Sequence, residues 1–286
     1  MPPTDTTLSA REATFPPAAP PTDFETGWGP TTPAGDTILR HGVDAIVASG
    51  EAVAAACGGR IHRGRGFVAV DLGLPTGIMN SATLTEPLFG DAFAAALEQI
   101  ESFCGAGGSG EFLLWSPWPI PDLSARGWSL EGHPPLLHRS PTGPMEVAAP
   151  EDLEVVEVTD TAGLAEWNAT VVEAFPFPDV EPSDGPLGPG VLDDDRFSLL
   201  LGRVDGRAVV AGSRFVAGGA SVLLLTATRP EARGRGYYGP LVRHRLGSTP
   251  DLPVVSLVSD HSRPILVDRF GFLPISRFTV WSRPRP

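Results

Sequence analysis

Apolar positions recur at a helical period over residues 38–57, 91–104, 161–174, 236–247 and 262–270, and these five segments read as amphipathic helices. Short runs rich in Val, Leu, Phe and Trp at 66–72, 78–84, 112–116, 153–158, 197–203, 208–216, 221–228, 254–259 and 277–282 predict strands. Helices and strands alternate in mixed order, which places the chain in the mixed α/β (α+β) class, with a central mixed sheet flanked by helices in each half. Three stretches follow neither period. Residues 1–36 are rich in Pro, Thr, Ala and Gly and read as a disordered tail or a strap over the surface. Residues 139–152 read as a linker between one domain over 37–142 and another over 150–286. The third, Pro176–Asp195, is longer than an idle connection and carries Asp179, Glu181, Asp184, Asp193, Asp194 and Asp195.

The pattern also repeats. A shift of 144 residues brings the strand Ile78–Leu84 onto Val222–Thr228 and the helix Asp91–Glu101 onto Arg235–Arg245. The same shift brings Phe112–Trp115 onto Ser256–Ser259 and Gly127-Trp128 onto Gly271-Phe272, each of the last pair followed by another candidate strand. Identity is low, so the signal lies in the order and spacing of elements.

One segment stands apart chemically. In Ser221–Leu246 an apolar strand runs straight into Arg233-Gly234-Arg235-Gly236, and an apolar-patterned helix follows. Glycines let backbone N–H groups approach a phosphate, and a first helical turn adds unpaired N–H groups and the positive end of its dipole. Five arginines (Arg229, Arg233, Arg235, Arg243, Arg245) stand here against one acid, Glu231. The chain as a whole carries −13, which disfavours a nucleic-acid or anionic-membrane partner, so a small, multiply anionic ligand fits this local cluster best. The competing reading is a turn with a solvated arginine face. All 21 basic side chains are arginine. With no lysine, pyridoxal-phosphate Schiff bases and Gly-Lys-Ser/Thr phosphate loops are excluded.

The segment resembles motif A of the GNAT acetyltransferase superfamily, where Arg/Gln-x-x-Gly-x-Gly/Ala binds the pyrophosphate of acetyl-CoA. Arg233 and Gly236 match; Tyr238 stands in the last place, with Gly239 one residue later. Thr228-Arg229-Pro230-Glu231 resembles the family's strand end, and Ile265–Phe272 resembles its closing helix and Gly-Phe. The resemblance covers about 150–286, and more weakly 38–142, as a tandem protein with a degenerate first copy. It implies acetyl-CoA as cosubstrate and N-acetyl transfer to a primary amine of a small molecule or peptide. It implies that backbone groups of Thr226, Ala227 and Thr228 pair with the pantetheine arm, and that N–H groups from Arg233 through Gly234, Arg235, Gly236 and Tyr237 to Tyr238 hold the pyrophosphate. An N–H near Ala227 or Thr228 would polarise the thioester carbonyl, and the arginines would meet the 3′-phosphate. At the position where many members carry a proton-donating tyrosine this chain has Val267.

The first half serves as an internal control. Its motif position reads Phe89-Gly90-Asp91, without the arginine and with an acid instead. Its Arg63-Gly64-Arg65-Gly66 precedes a strand rather than following one, and reads as a hairpin turn.

For proton transfer the candidates are His261 and Asp260, at the end of strand 254–259, and Glu173 on helix 161–174 as a base. Each has a plain alternative: a loop histidine without a role, or an acid on a solvated face. The acids of 176–195 favour a cationic acceptor, or form a solvated loop. The histidines show no metal-ligand spacing. Gly107-Gly108-Ser109-Gly110-Glu111 breaks the nucleophile-elbow pattern, and Cys104 follows a core pattern. No apolar run reaches the length of a membrane span and no secretory leader is visible, so a cytoplasmic chain with reduced Cys57 and Cys104 is expected. The competing function is a non-catalytic acyl-CoA-binding sensor or interaction module.

Overall fold

The computed structural model describes residues 37–285 except 109, 142, 144–148, 176, 178, 179 and 182–184. The expected tail over 1–36, residues 142 and 144–148 of the 139–152 linker, and Asp179 and Asp184 therefore lie outside the described residues. Residues from Ile38 onward form one compact unit. No helix in it is long and apolar enough to cross a membrane.

All five expected helices form: α1 (Ile38–Ala56), α2 (Gly90–Gly105), α3 (Thr161–Ala174), α4 (Tyr238–Gly247) and α5 (Arg263–Phe270). Asp160 caps α3, accepting the Gly163 N–H at 2.7 Å. The first strands are β1 (Arg60–Gly64), β2 (Phe67–Asp71), β3 (Asn80–Leu84), β4 (Glu111–Ser116), β5 (Ser129–Gly132) and β6 (Pro135–Arg139). Then come β7 (Glu154–Glu157), β8 (Phe197–Val204), β9 (Arg207–Ala217), β10 (Ala220–Thr228), β11 (Val254–Leu257), β12 (Leu273–Arg277) and β13 (Thr279–Pro284). Asp205-Gly206 and Gly218-Gly219 all take positive φ, the condition for the tight primed turns that close β8–β9 and β9–β10. The Arg63–Gly66 segment is the β1–β2 hairpin turn, with Gly64 paired to Phe67.

The strands make two sheets, β1-β2-β3-β4-β13-β5 and β12-β6-β11-β10-β9-β8-β7. Read from the hairpin inward, both have the same order, with one parallel pair each, β3–β4 and β10–β11. The 144-residue offset also carries β5 onto β12 and β6 onto β13. The two final strands are exchanged. β6 lies in the second sheet between β11 and β12, and β13 lies in the first between β4 and β5. The segment near residue 140 thus leaves one central strand of the second sheet and leads to β7 at that sheet's edge.

Exchange buries polar groups. Arg139 on β6 is buried and donates from Nε to the Phe270 carbonyl at 2.8 Å. His138 beside it is 6% exposed, and among the described residues its Nδ1 has no partner. Burial, then the nearby His41, pulls its pKa below the ordinary value, so the folded state favours neutral imidazole. The stability this contributes is complete above the unfolded-state value near 6.5 and is lost as pH falls through the lower folded value. Unfolding free energy measured by denaturant titration should decline from pH 7 to pH 5, and His138→Leu should flatten that slope.

Packing assigns the layers. On β10, Val222 packs with Val43 of α1, and the next residue, Leu223, packs with Val242 and Leu246 of α4 and Phe270 of α5. Alternation therefore puts α4 and α5 on one face of the second sheet and α1 on the other. Ala52 and Val53 of α1 share a core with Trp167 and Val171 of α3, so α1 and α3 lie side by side. Helix α1, from the first half, thus covers the second half's sheet beside α3.

Candidate functional site

The two parallel pairs differ where it matters. β3 and β4 stay in register through Thr83↔Trp115, and β3 ends at the next residue, Leu84. β10 and β11 pair only at Ser221↔Val254 and Val222↔Val255, after which β10 continues to Thr228 without a parallel neighbour. From Leu223 onward this edge faces a wedge with no paired strand, its Leu223 carbonyl meeting the Ser256 hydroxyl at 3.4 Å and its Thr228 carbonyl the Arg233 guanidinium at 3.1 Å. A bulge lies in this stretch. The β9 register skips Leu225 and Thr226, and Leu225 holds φ +41°, a strained value for a leucine.

Arg245, fully buried, supports the bulge from the α4 face. Its guanidinium donates to Thr226 Oγ1 at 2.7 Å, the Ser213 carbonyl at 2.9 Å and the Leu241 carbonyl at 3.1 Å. Burial pulls its pKa down to about 10, which still leaves it cationic at neutral pH.

Beyond β10 the chain makes one 3-10 turn, Pro230–Ala232, and then enters the glycine turn. Gly234 and Gly236 stand at φ +78° and +85°. Among the described residues, the N–H groups of Gly234, Arg235, Gly236 and Tyr237 donate to no backbone carbonyl. The Arg233 N–H does, to Pro230 O at 3.3 Å, so the open donors begin at Gly234, one residue later than the sequence suggests. Gly239 and Tyr238 open α4, whose first turn adds further free donors.

The arginines divide by what they touch. Arg233 donates to the Thr228 carbonyl at 3.1 Å and the Ala174 carbonyl at 2.9 Å, tying the turn to the end of α3. Arg229 is buried and pairs with Glu173, with Thr170 Oγ1 at 3.4 Å. Arg245 is interior, so at least three of the five are committed to the protein itself. The cluster expected to meet a 3′-phosphate shrinks accordingly. Arg269 on α5, which sequence reasoning passed over, lines the opening instead.

The wedge widens into a cavity of about 1200 Å³. Its end nearest the glycine turn is walled by Thr226, Ala227, Thr228, Arg233, Gly234, Gly236 and Tyr237–Gly239. Tyr238 reaches it, with burial raising its pKa and keeping the hydroxyl protonated, whereas the Tyr237 hydroxyl is tied to Asp152 at 2.7 Å. Arg235 stands exposed on the turn.

Of the proton-transfer candidates, His261 lines the cavity, next to Ser259 and Ser262. Asp260 does not. It pairs with Arg277 at 2.7 Å and Arg263 at 3.5 Å, and the Arg277 hydrogen bond holds its carboxyl below the usual range, so it is an anion without a proton to give. It lines an adjoining chamber of about 770 Å³ with Glu111, Glu131 and His133; that chamber shares Ile78, Trp115 and Pro134 with the cavity. Glu173, the expected base, spends its carboxylate on Arg229. Val267 packs against the α4–α5 core. Of the described acids in the long loop, none lines the cavity; Asp194 pairs with Arg196 at 2.6 Å. Cys104 is buried in the first half's core and its thiol is pushed up by that burial. Among the described residues no group of three or more His, Cys, Asp or Glu is placed to hold a metal ion.

No family model and no curated protein matches the sequence. The structure is similar to a GCN5-related N-acetyltransferase from Kribbella flavida, with 16% identity, 84% of this chain and 96% of that one covered, and a TM-score of 0.61. A conserved protein of unknown function from Staphylococcus epidermidis gives 12% identity, coverage of 80% and 95%, and a TM-score of 0.59. A GCN5-related N-acetyltransferase from Sphaerobacter thermophilus gives 16%, 90% and 98%, and 0.50. With its splayed parallel pair, strand bulge and glycine turn at a helix start, the chain has the GNAT N-acetyltransferase fold.

Proposed function

We propose that this chain is an N-acyltransferase that binds acetyl-CoA in its second half and passes the acetyl group to a primary amine of a small molecule or peptide by direct attack. The observation that carries the reading is the divergence of β10 from β11 beside a glycine turn with open N–H groups. Gly234–Tyr238 would hold the pyrophosphate, helped by the dipole of α4. The open edge of β10 at Thr226–Thr228 would pair with the pantetheine amides as an added strand does. A backbone N–H of the bulge would meet the developing oxyanion, with the buried charge of Arg245 behind it. His261 is the titratable group of the original three that faces the cavity, and it is the assigned proton carrier for the leaving thiolate.

The first half reads as a second copy of the same unit whose site has closed. Its parallel pair remains zipped to the end, and Asp91 stands in the first turn of α2 where an anion would bind.

The test is calorimetry with CoA and acetyl-CoA, followed by thiol release over a panel of amines. Acetyl-CoA at 100 times its Kd should stabilise the fold by about 2.7 kcal/mol, and thiol release should depend on an acceptor. Absence of binding by either ligand overturns the reading. Binding without release across the panel favours the second reading, a non-catalytic acyl-CoA module; Val267 packed at the usual tyrosine position is the observation on its side.

A further inference from the structure

The cavity continues well past the cofactor end. Its far wall comes from the first half: Ile46, Val47 and Val53 of α1, Val70 of β2, Ile78 before β3, and Trp115 of β4. Among the described residues no carboxylate lines the cavity. Its described charged or titratable groups are Arg233, Arg269, His261, Tyr237 and Tyr238, all on the motif turn, α4, or the β11–α5 segment. The parts of α1, β2, β3 and β4 that face it carry none. Glu51 of α1 is turned to Arg63 at 2.6 Å, outside this wall.

An ammonium ion entering such a space loses its hydration and gains no anion, whereas a neutral amine on an apolar chain loses little. Direct attack on a thioester needs that same neutral amine. The cavity therefore does by desolvation what Glu173 and Asp260, both bound to arginines, are not free to do by proton abstraction.

Resting on the acyl-CoA reading above, we propose that the acceptor is an amine carried on an apolar chain or ring, seated against α1 and the first sheet and bound as its free base. The first half is then the acceptor pocket of the second, a role that explains why α1 lies beside α3 on the second sheet. The apolar wall is continuous with the open edge of β10, so an amine lying on it points at the place where the thioester carbonyl would sit.

The experiment measures binding of 1-aminoalkanes of increasing length to the full chain saturated with CoA, by calorimetry, between pH 7 and pH 9. Affinity should rise about fourfold per added methylene, the equivalent of about 0.8 kcal/mol each, until the cavity is filled. It should also rise about tenfold per pH unit, because alkyl ammonium groups titrate near 10.4 and only the free base binds. Gly50 gives the variant. It faces the cavity from mid-α1, and a Cβ there would meet only Val70 Cγ2, at 3.8 Å. Gly50→Leu fills the pocket while improving helix propensity, so it should erase the chain-length dependence and leave CoA affinity unchanged. Tighter binding of polyamines than of aminoalkanes overturns the proposal. So does a chain-length gain seen with acyl-CoAs but not with amines, which gives the space to the donor. Failure of CoA itself to bind overturns the parent reading instead, and is read separately in the same titration.

Discussion

Gly236→Val should lower CoA affinity by two orders of magnitude or more while the protein remains folded. At φ +85° the position admits a β-branched residue only with strain of about 1–3 kcal/mol. Relief requires the peptide planes around it to turn, and that redirects the neighbouring N–H groups that are proposed to hold the pyrophosphate. Hydrogen bonds to a charged acceptor contribute roughly 1.5–3 kcal/mol each, and loss of two of them removes at least a factor of 100. The turn is exposed, and a Cβ at Gly236 meets only Pro150 Cγ at 3.9 Å, so the fold tolerates the change. Gly66→Val is the matched control. Gly66 sits at φ +76° in the look-alike Arg63–Gly66 turn, so its replacement should cost stability without touching CoA affinity. Equal affinity for CoA in wild type and Gly236→Val, measured by calorimetry, would remove the pyrophosphate from this turn.

Asp71→Ala should cost about 3–5 kcal/mol, a large fraction of the roughly 5–15 kcal/mol that holds a domain together. Asp71 on β2 is 2% exposed and receives Arg60, Arg285 at 2.9 Å, and the Gly73 N–H at 2.9 Å. The Arg285 side chain is fully buried, so removing the acid strands a cation left with the Gly108 carbonyl at 3.3 Å and the face of the Phe112 ring. Melting should drop by roughly 10 °C. The double replacement Asp71→Leu with Arg285→Met should recover much of the loss, because a buried ion pair costs more to break than to replace with apolar groups. The same pair sets acid behaviour. Burial raises the Asp71 carboxyl, but Arg60, Gly73 and Arg285 together pull it below its ordinary value. Its contribution is complete above about pH 4 and disappears as pH falls through the lower folded value. Acid unfolding below about pH 4, followed by circular dichroism, should therefore be steeper in the wild type than in the double variant.

Much of the fold was legible from periodicity, and what escaped shares a cause. β1 is an edge strand whose outward residues are polar, Arg60-Ile61-His62-Arg63, so no alternation marks it; β5 and β12, also at edges, show only as candidate strands after Gly127-Trp128 and Gly271-Phe272. β6 is buried throughout, yet it reads Pro-Leu-Leu-His-Arg; Arg139, which makes it look like a loop, finds the carbonyl at the end of α5 in the other half, and burial keeps His138 neutral. The glycine turn was legible because its chemistry is local: strand, glycines and helix follow one another. The roles of Glu173 and Asp260 were not, because Arg229 and Arg277 lie far from them in sequence and close in space. The arginine count misled for the same reason. Composition places Arg245 in a basic cluster, but only packing shows it turned inward beneath Gly212. The apolar wall could not be read at all, since residues of the first half build it against a strand of the second.

The strand exchange also dictates an order of assembly during translation. β6 emerges from the ribosome with the first sheet, but both its neighbours, β11 and β12, are synthesised only after the remaining strands of the second. β4 and β5 stand apart until β13 arrives to lie between them. Until then each sheet carries an unpaired interior edge, the kind of surface that recruits foreign strands. Closing it demands contacts between distant parts of the chain, which slows folding. A nascent first half is thus an open template rather than a finished domain, and chaperone occupancy should persist until Thr279–Pro284 has left the exit tunnel.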